Sequence, residues 1–258
     1  MIDPQAAVLE LTVAGKDVTI KQSPALLHSN KREGTTGAAV WKVTPLFAEW
    51  MASPTNPLFS SGLLSSDSTV IELGCGAAGI VSLVMSPRVK TYIATDQAHV
   101  TKLAKENIAE NISRYAKASS NSSTKHHAKS KKEFKTPVSN VHVTPLDWQT
   151  DSIDDFLRRL SLTAEATDIS AIIACDCVYN DALIEPLTNT LVEIAKVRDT
   201  SKPPTIVLIA QQLRSSEVFE SWLSYFARFF KVWRLPDSQL PEGLRENTGF
   251  VVHLGILR

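Results

Sequence analysis

No excess of either charge, no cysteine pairing and no long apolar run marks this 258-residue chain, and each absence removes a class of function. Lysine plus arginine number 27, as do aspartate plus glutamate, so no net field draws the whole molecule to nucleic acid or to an anionic membrane. Any contact with a polyanion has to be local. No apolar stretch approaches the roughly 18 residues of a spanning helix, so no membrane partner is expected. Residues 1–10 lack the basic start and apolar run of a secretory signal. A cytoplasmic protein is therefore expected, with a nuclear location as the alternative. Cys75, Cys175 and Cys177 form neither a Cys-x-x-Cys pair nor an even framework, which argues against a disulfide scaffold or a zinc site and predicts reduced, buried thiols. His126-His127 has no further ligands beside it, so no metal is expected. The acceptor-like triplets Asn111-Ile-Ser113 and Asn121-Ser-Ser123 mean little without secretion.

What is present is an ordinary globular composition, 43% hydrophobic and 21% charged, enough for one substantial α/β core. Two β-prone runs, 8–13 and 17–21, flank Ala14-Gly15-Lys16 and read as an N-terminal hairpin attached outside the core. Val40, Val43, Phe47 and Trp50 recur at helical spacing over 39–51, with Pro54 and Pro57 behind them. From Thr69 the pattern becomes strand, glycine turn, helix, repeated. Strands are expected at 70–73, 91–95, 141–146, 171–174 and 205–210, and helices at 77–85, 100–112, 153–160, 183–197 and 218–229. Two final β-prone runs, 231–235 and 249–257, have no helix between them and predict an antiparallel closing hairpin. This divides the chain into an extension, 1–36, and a main domain, 37–258. Residues 113–137, rich in Ser, Lys and Asn, read as a flexible basic insertion in that domain, a solvated loop or a weak contact for RNA or a ribosomal surface.

The residues that carry chemistry cluster at predicted strand ends. Gly74, Gly76 and Gly79 follow Ile71-Glu72-Leu73 in a G-x-G-x-x-G spacing, where the backbone must turn sharply and lie against a ligand. Asp96 follows the second predicted strand of this unit, about 20 residues after the turn, the place from which a carboxylate accepts both hydroxyls of an adenosine ribose. NAD and S-adenosylmethionine both carry that ribose, so Asp96 does not choose between them. Asp147-Trp148 offers an acceptor for an exocyclic amine and an aromatic plane for a base. Cys175-Asp176-Cys177-Val178-Tyr179 puts a carboxylate and a phenol at the carboxyl edge of the sheet. Each has a plain structural alternative: a tight turn, a strand-end acid, or an Asp capping the next helix.

Taken together, the Glu-Leu-Gly-Cys-Gly turn, Asp96, Asp147-Trp148, the Asp176-x-x-Tyr179 tetrad and the closing hairpin resemble the seven-stranded methyltransferases called family 16, mostly protein-lysine methyltransferases. The likeness covers about residues 36–258 and is greatest to the fungal ribosomal-protein lysine methyltransferase group numbered five. It implies a Rossmann-like seven-stranded α/β sheet with helices on both faces, S-adenosylmethionine as cofactor, and N-methylation of a lysine in a ribosomal or other cytosolic protein. It also implies roles. Trp41, in Gly37-Ala-Ala-Val-Trp41, would stand beside the cofactor, Gly74, Cys75 and Gly76 would line its methionine portion, and Glu72 and Gly79 would belong to the same binding turn. Asp96 would hold the ribose, Asp147 and Trp148 the adenine, and Cys175 would form a wall. Asp176 would orient the amine and Tyr179 face it. The family often has a small residue where Cys75 stands, a departure compatible with a tight turn. A methyltransferase acting on a small molecule or another protein atom, a non-catalytic ribosome-associated binder, and an NAD-linked oxidoreductase are the competing readings.

Overall fold

The computed structural model describes residues 1–27, 35–115, 140–162, 168–197 and 201–258. Strands β1 (Val8–Val13) and β2 (Lys16–Lys21) form the expected antiparallel hairpin. A one-turn helix α1 (Pro24–Leu27) follows, then α2 (Val43–Ala52) and α3 (Pro57–Ser60), whose first turn is capped by the Asn56 side chain accepting from Leu58 N–H. The alternation then begins: β3 (Thr69–Leu73), α4 (Ile80–Met85), β4 (Thr91–Asp96), α5 (Ala98–Asn111), β5 (Val141–Pro145), α6 (Ile153–Arg159), β6 (Ile169–Cys175), α7 (Ile184–Lys196), β7 (Ile206–Gln212) and α8 (Ser216–Phe226). It closes with β8 (Phe230–Arg234) and β9 (Phe250–Leu257).

The main sheet runs β5-β4-β3-β6-β7-β9-β8. Strands β3 to β7 pair in parallel, and β9 enters antiparallel between β7 and β8. The two closing runs do pair with one another, but the later one fills the inner place. Both faces are covered, which is why Val70, Ile71 and Leu73 of β3 are apolar on either side of Glu72. Val70 faces a core shared with α2, α4 and α5, whereas Ile71 and Leu73 face one shared with α6, α7 and α8. Chain direction across the sheet reverses between β3 and β6, and in open α/β sheets ligands bind beyond the carboxyl ends of the strands at such a point.

The hairpin is not outside the core. Val13, Val18 and Ile20 are fully buried in the core that also holds side chains of α2, α4 and α5. Two asparagines of α5 stitch β2 to the domain. Asn107 Oδ1 accepts from Lys21 N–H (2.8 Å) while its Nδ2 donates to Lys21 O and Ala77 O, and Asn111 does the same for Thr19. Of the basic insertion expected at 113–137, residues 116–137 lie outside the described residues, as do His126-His127 and Asn121. Its start is anchored, because Ile112–Arg114 forms a 3-10 turn and the Tyr115 hydroxyl donates to Val13 O.

Candidate active site

The turn after β3 is shaped by close approach. Gly74 has φ +71°, and a Cβ there would meet Cys177 Sγ at 2.6 Å, so only glycine lets the strand end lie against the β6 turn. Gly76 N–H donates to Asp96 Oδ2 (2.8 Å), and Cys75 N–H to Thr95 O, which locks the turn onto the end of β4. Asp96 Oδ1 accepts from Gln97 N–H (2.8 Å). Burial pushes the Asp96 carboxyl up, against the downward pull of these two amides and of His99.

A strap, residues 35–41, crosses this turn. Gly37 O accepts from Ala77 N–H (2.7 Å), Trp41 Nε1 donates to Thr36 O, and the Thr36 hydroxyl donates to the Tyr179 oxygen (3.1 Å). Buried Gln22, at the end of the hairpin, holds the strap from behind by accepting from Val40 N–H (2.7 Å). Between strap and sheet lies a cavity of about 510 Å³, within the usual size of a small-molecule site. Of the residues singled out from sequence, Trp41, Gly74, Cys75, Gly76 and Asp96 line it from the turn and strap. Asp147, Trp148, Cys175, Asp176 and Tyr179 line it from the ends of β5 and β6. The three thiols are buried, and burial raises each well above the ordinary cysteine range, so they are neutral walls rather than nucleophiles.

Glu72 and Gly79 are placed elsewhere. Glu72 does not line the cavity; it lies on the Val70 face of β3, where its carboxyl accepts from the Tyr92 hydroxyl (2.9 Å) in a buried pair. Gly79 begins α4 at φ +57°, and a Cβ there would meet Ile108 Cδ1 at 2.6 Å; it serves the approach of α4 to α5. Burial pushes the Glu72 carboxyl up to about 8, opposed by the Tyr92 hydrogen bond and assisted by the negative Asp96. The folded chain therefore holds this proton more tightly than the unfolded chain. Stability attributable to Glu72 is fully present below its ordinary range, falls as pH rises from about 4.5 to about 8, and is flat above. Glu72→Gln should be more stable than wild type at pH 8 by on the order of a few kcal/mol, with the gap vanishing toward pH 4. Melting curves across that range check it; a gap independent of pH would contradict a protonated Glu72.

Several site groups have no sequence motif. Thr36 and Gln97 line the cavity beside the expected residues. The largest omission is Arg214, just beyond β7, whose Nη1 and Nη2 donate to Asp176 Oδ2 and Oδ1, both at 2.9 Å. Its guanidinium also lies 4.6 Å from the Trp41 ring centre. Asp176 itself adopts φ +60°, a left-handed conformation that Asp tolerates better than most side chains. A basic residue at the end of β7, the strand beside the one bearing Asp176, was the available signal.

The residues present fit a nucleoside cofactor with a short polar tail. Gly74 and Gly76 line the cavity with bare backbone, Asp96 is an acceptor at its edge, and Trp148 Nε1 is buried with no hydrogen-bond partner among the described residues. Known proteins share the fold and align with most of the sequence. A candidate S-adenosylmethionine-dependent methyltransferase from Streptococcus mutans shares the fold at TM-score 0.51 with 10% identity, over 97% of this chain and 56% of that one. Ribosomal lysine N-methyltransferase 5 of Zygosaccharomyces rouxii is 28% identical over 245 residues, covering 89% of this chain and 76% of the relative. A diaminohydroxyphosphoribosylamino-pyrimidine deaminase of Schizosaccharomyces pombe is 26% identical over 90% of this chain, which matches only 47% of that longer protein. The family model for lysine methyltransferases matches residues 20–226, from the end of the hairpin through α8, and the chain belongs to the lysine methyltransferase family.

Proposed function

We propose that this lysine methyltransferase modifies a ribosomal protein, with S-adenosylmethionine held at the β3–β4 turn and the target amine received at the Asp176–Tyr179 edge. The observation that carries the site assignment is convergence: the glycine turn, Asp96, Trp148, Asp176 and Tyr179, dispersed over more than a hundred positions, line one cavity at the switch point of the sheet. The ribosomal substrate rests on similarity to the yeast ribosomal lysine methyltransferases.

When bound, the cofactor supplies a methyl carbon already activated by a sulfonium, which leaves the protein the task of alignment. Asp96 would accept from ribose hydroxyls, and the Gly76 and Gln97 amides that bond its carboxylate support that reading by fixing its orientation. Trp148 offers a flat apolar face next to Gly74, and the bare backbone of Gly74 and Gly76 leaves room for the amino-acid tail. A lysine amine has a reference pKa of about 10.4, so the neutral nucleophile is scarce near pH 7. Walls made of neutral thiols and of the Tyr179 ring, whose hydroxyl burial pushes up, favour the uncharged form by desolvation. A second groove of about 570 Å³ shares Trp148, Gln149 and Ala182 with the cavity and is lined by Asp151, Asp181, Glu185 and Glu193, which suits a basic segment carrying the target lysine. Local contact of the lysine-rich segment at 113–137 with ribosomal RNA, and a cytoplasmic location with a nuclear pool as the alternative, belong to the same reading.

Transfer of labelled methyl from S-adenosylmethionine into extract of cells lacking the protein is the direct test. A ribosomal protein labelled at lysine by wild type alone is the expected result. Label confined to small metabolites, to another side chain or to a non-ribosomal protein would overturn the proposed substrate.

A further inference from the structure

We infer that Arg214 is a positioning residue for methyl transfer, acting through Asp176. The inference rests on the assignment of Asp176 to the amine site and goes beyond it by asking what Asp176 has left to offer. Its side chain is only 1% exposed and both its oxygens are engaged. Oδ1 accepts from Arg214 Nη2 (2.9 Å) and from Gln212 N–H (3.1 Å), while Oδ2 accepts from Arg214 Nη1 (2.9 Å). A carboxylate oxygen offers two acceptor positions, so Oδ1 is filled and Oδ2 retains one. The fork of Arg214 thus turns a diffuse negative charge into a single acceptor with a fixed direction, and compensates that charge. An ammonium gains little from a compensated carboxylate. A neutral amine can donate one N–H to the remaining position and keep its own lone pair free for the methyl carbon.

The same guanidinium reaches the strap. It lies 4.6 Å from the Trp41 ring centre, and Nη1 also meets Gln212 Oε1 at 3.4 Å. Arg214 therefore spans from the β6 and β7 ends to the N-terminal wall of the cavity. A lysine in its place would keep the charge and lose the paired N–H groups that set the carboxylate plane.

A double-mutant cycle separates this role from general support of the fold. Arg214→Ala should lower transfer into unmodified cell extract, at saturating S-adenosylmethionine, on the order of 10- to 100-fold. S-adenosylhomocysteine affinity by calorimetry should stay within about threefold, and added guanidinium should restore part of the rate. In an Asp176→Asn background the same change should cost less than about threefold, because the group it acts through is already gone. Equal losses in both backgrounds, or an Arg214→Ala enzyme as fast as wild type, would overturn the inference. An Asp176→Asn enzyme with undiminished rate would instead remove the Asp176 assignment, a separate result. Should Arg214→Ala fail to fold, Arg214→Lys decides: an intermediate rate is expected, and wild-type turnover contradicts the role.

Discussion

Replacing Asp176 by asparagine should slow methyl transfer on the order of 10²-fold while S-adenosylhomocysteine affinity stays within about threefold of wild type. Asparagine is the informative choice because residue 176 sits at φ +60°, which asparagine tolerates and alanine does so only at a cost of about 1 kcal/mol or more. Shape and backbone are kept; the charge and one acceptor oxygen are lost. Arg214, 29% exposed, can turn its freed fork to water, so the fold should survive. Paired assays of labelled transfer and calorimetric cofactor binding check the prediction. Loss of cofactor affinity in parallel with rate would mean that Asp176 shapes the cavity rather than the amine site.

The largest stability effect is expected at Asn107. Its amide is wholly buried and makes three hydrogen bonds, two to Lys21 and one to Ala77 O, at 2.8–2.9 Å. Leucine is close in size and can make none of them. Each buried polar group left unpaired costs about 1–3 kcal/mol, and water can reach the half-buried Lys21 end, so Asn107→Leu should lose about 3 kcal/mol or more. Ala77 also follows the glycine turn directly, so cofactor affinity should fall along with stability. Urea midpoints at unchanged slope would measure the first effect. A loss below about 1 kcal/mol would mean that the Asn107 amide adds little to the anchoring of the hairpin.

These two sites mark what the sequence does and does not disclose. The alternation of strands and helices was legible because each period is local, and the element ends differ from expectation by only a few residues. Gly74 and Asp96 were legible for the same reason, since a turn and the strand end it contacts are about twenty residues apart. The hairpin's burial was not, because Asn107 and Lys21 meet across 86 positions and nothing near either announces the other. Arg214 is 38 positions from Asp176, and its role depends on β6 and β7 being neighbours. Glu72 is instructive in the other direction. It shares the parity of Val70 within the strand, so alternation alone turns it away from its neighbours Ile71 and Leu73, yet its place in a glycine motif drew it into the cofactor set. The order of β9 and β8 was beyond reach, because β-propensity specifies a strand and not its partner.

The central claim is that the cavity under the strap binds S-adenosylmethionine through Asp96, and calorimetric titration of S-adenosylhomocysteine into wild type and Asp96→Ala tests it most directly. One site per chain is expected, weakened on the order of 10²-fold in the variant, since two hydrogen bonds to a charged acceptor are lost. Equal affinity in the two proteins would contradict the claim, as would wild-type binding of NAD in preference to S-adenosylhomocysteine.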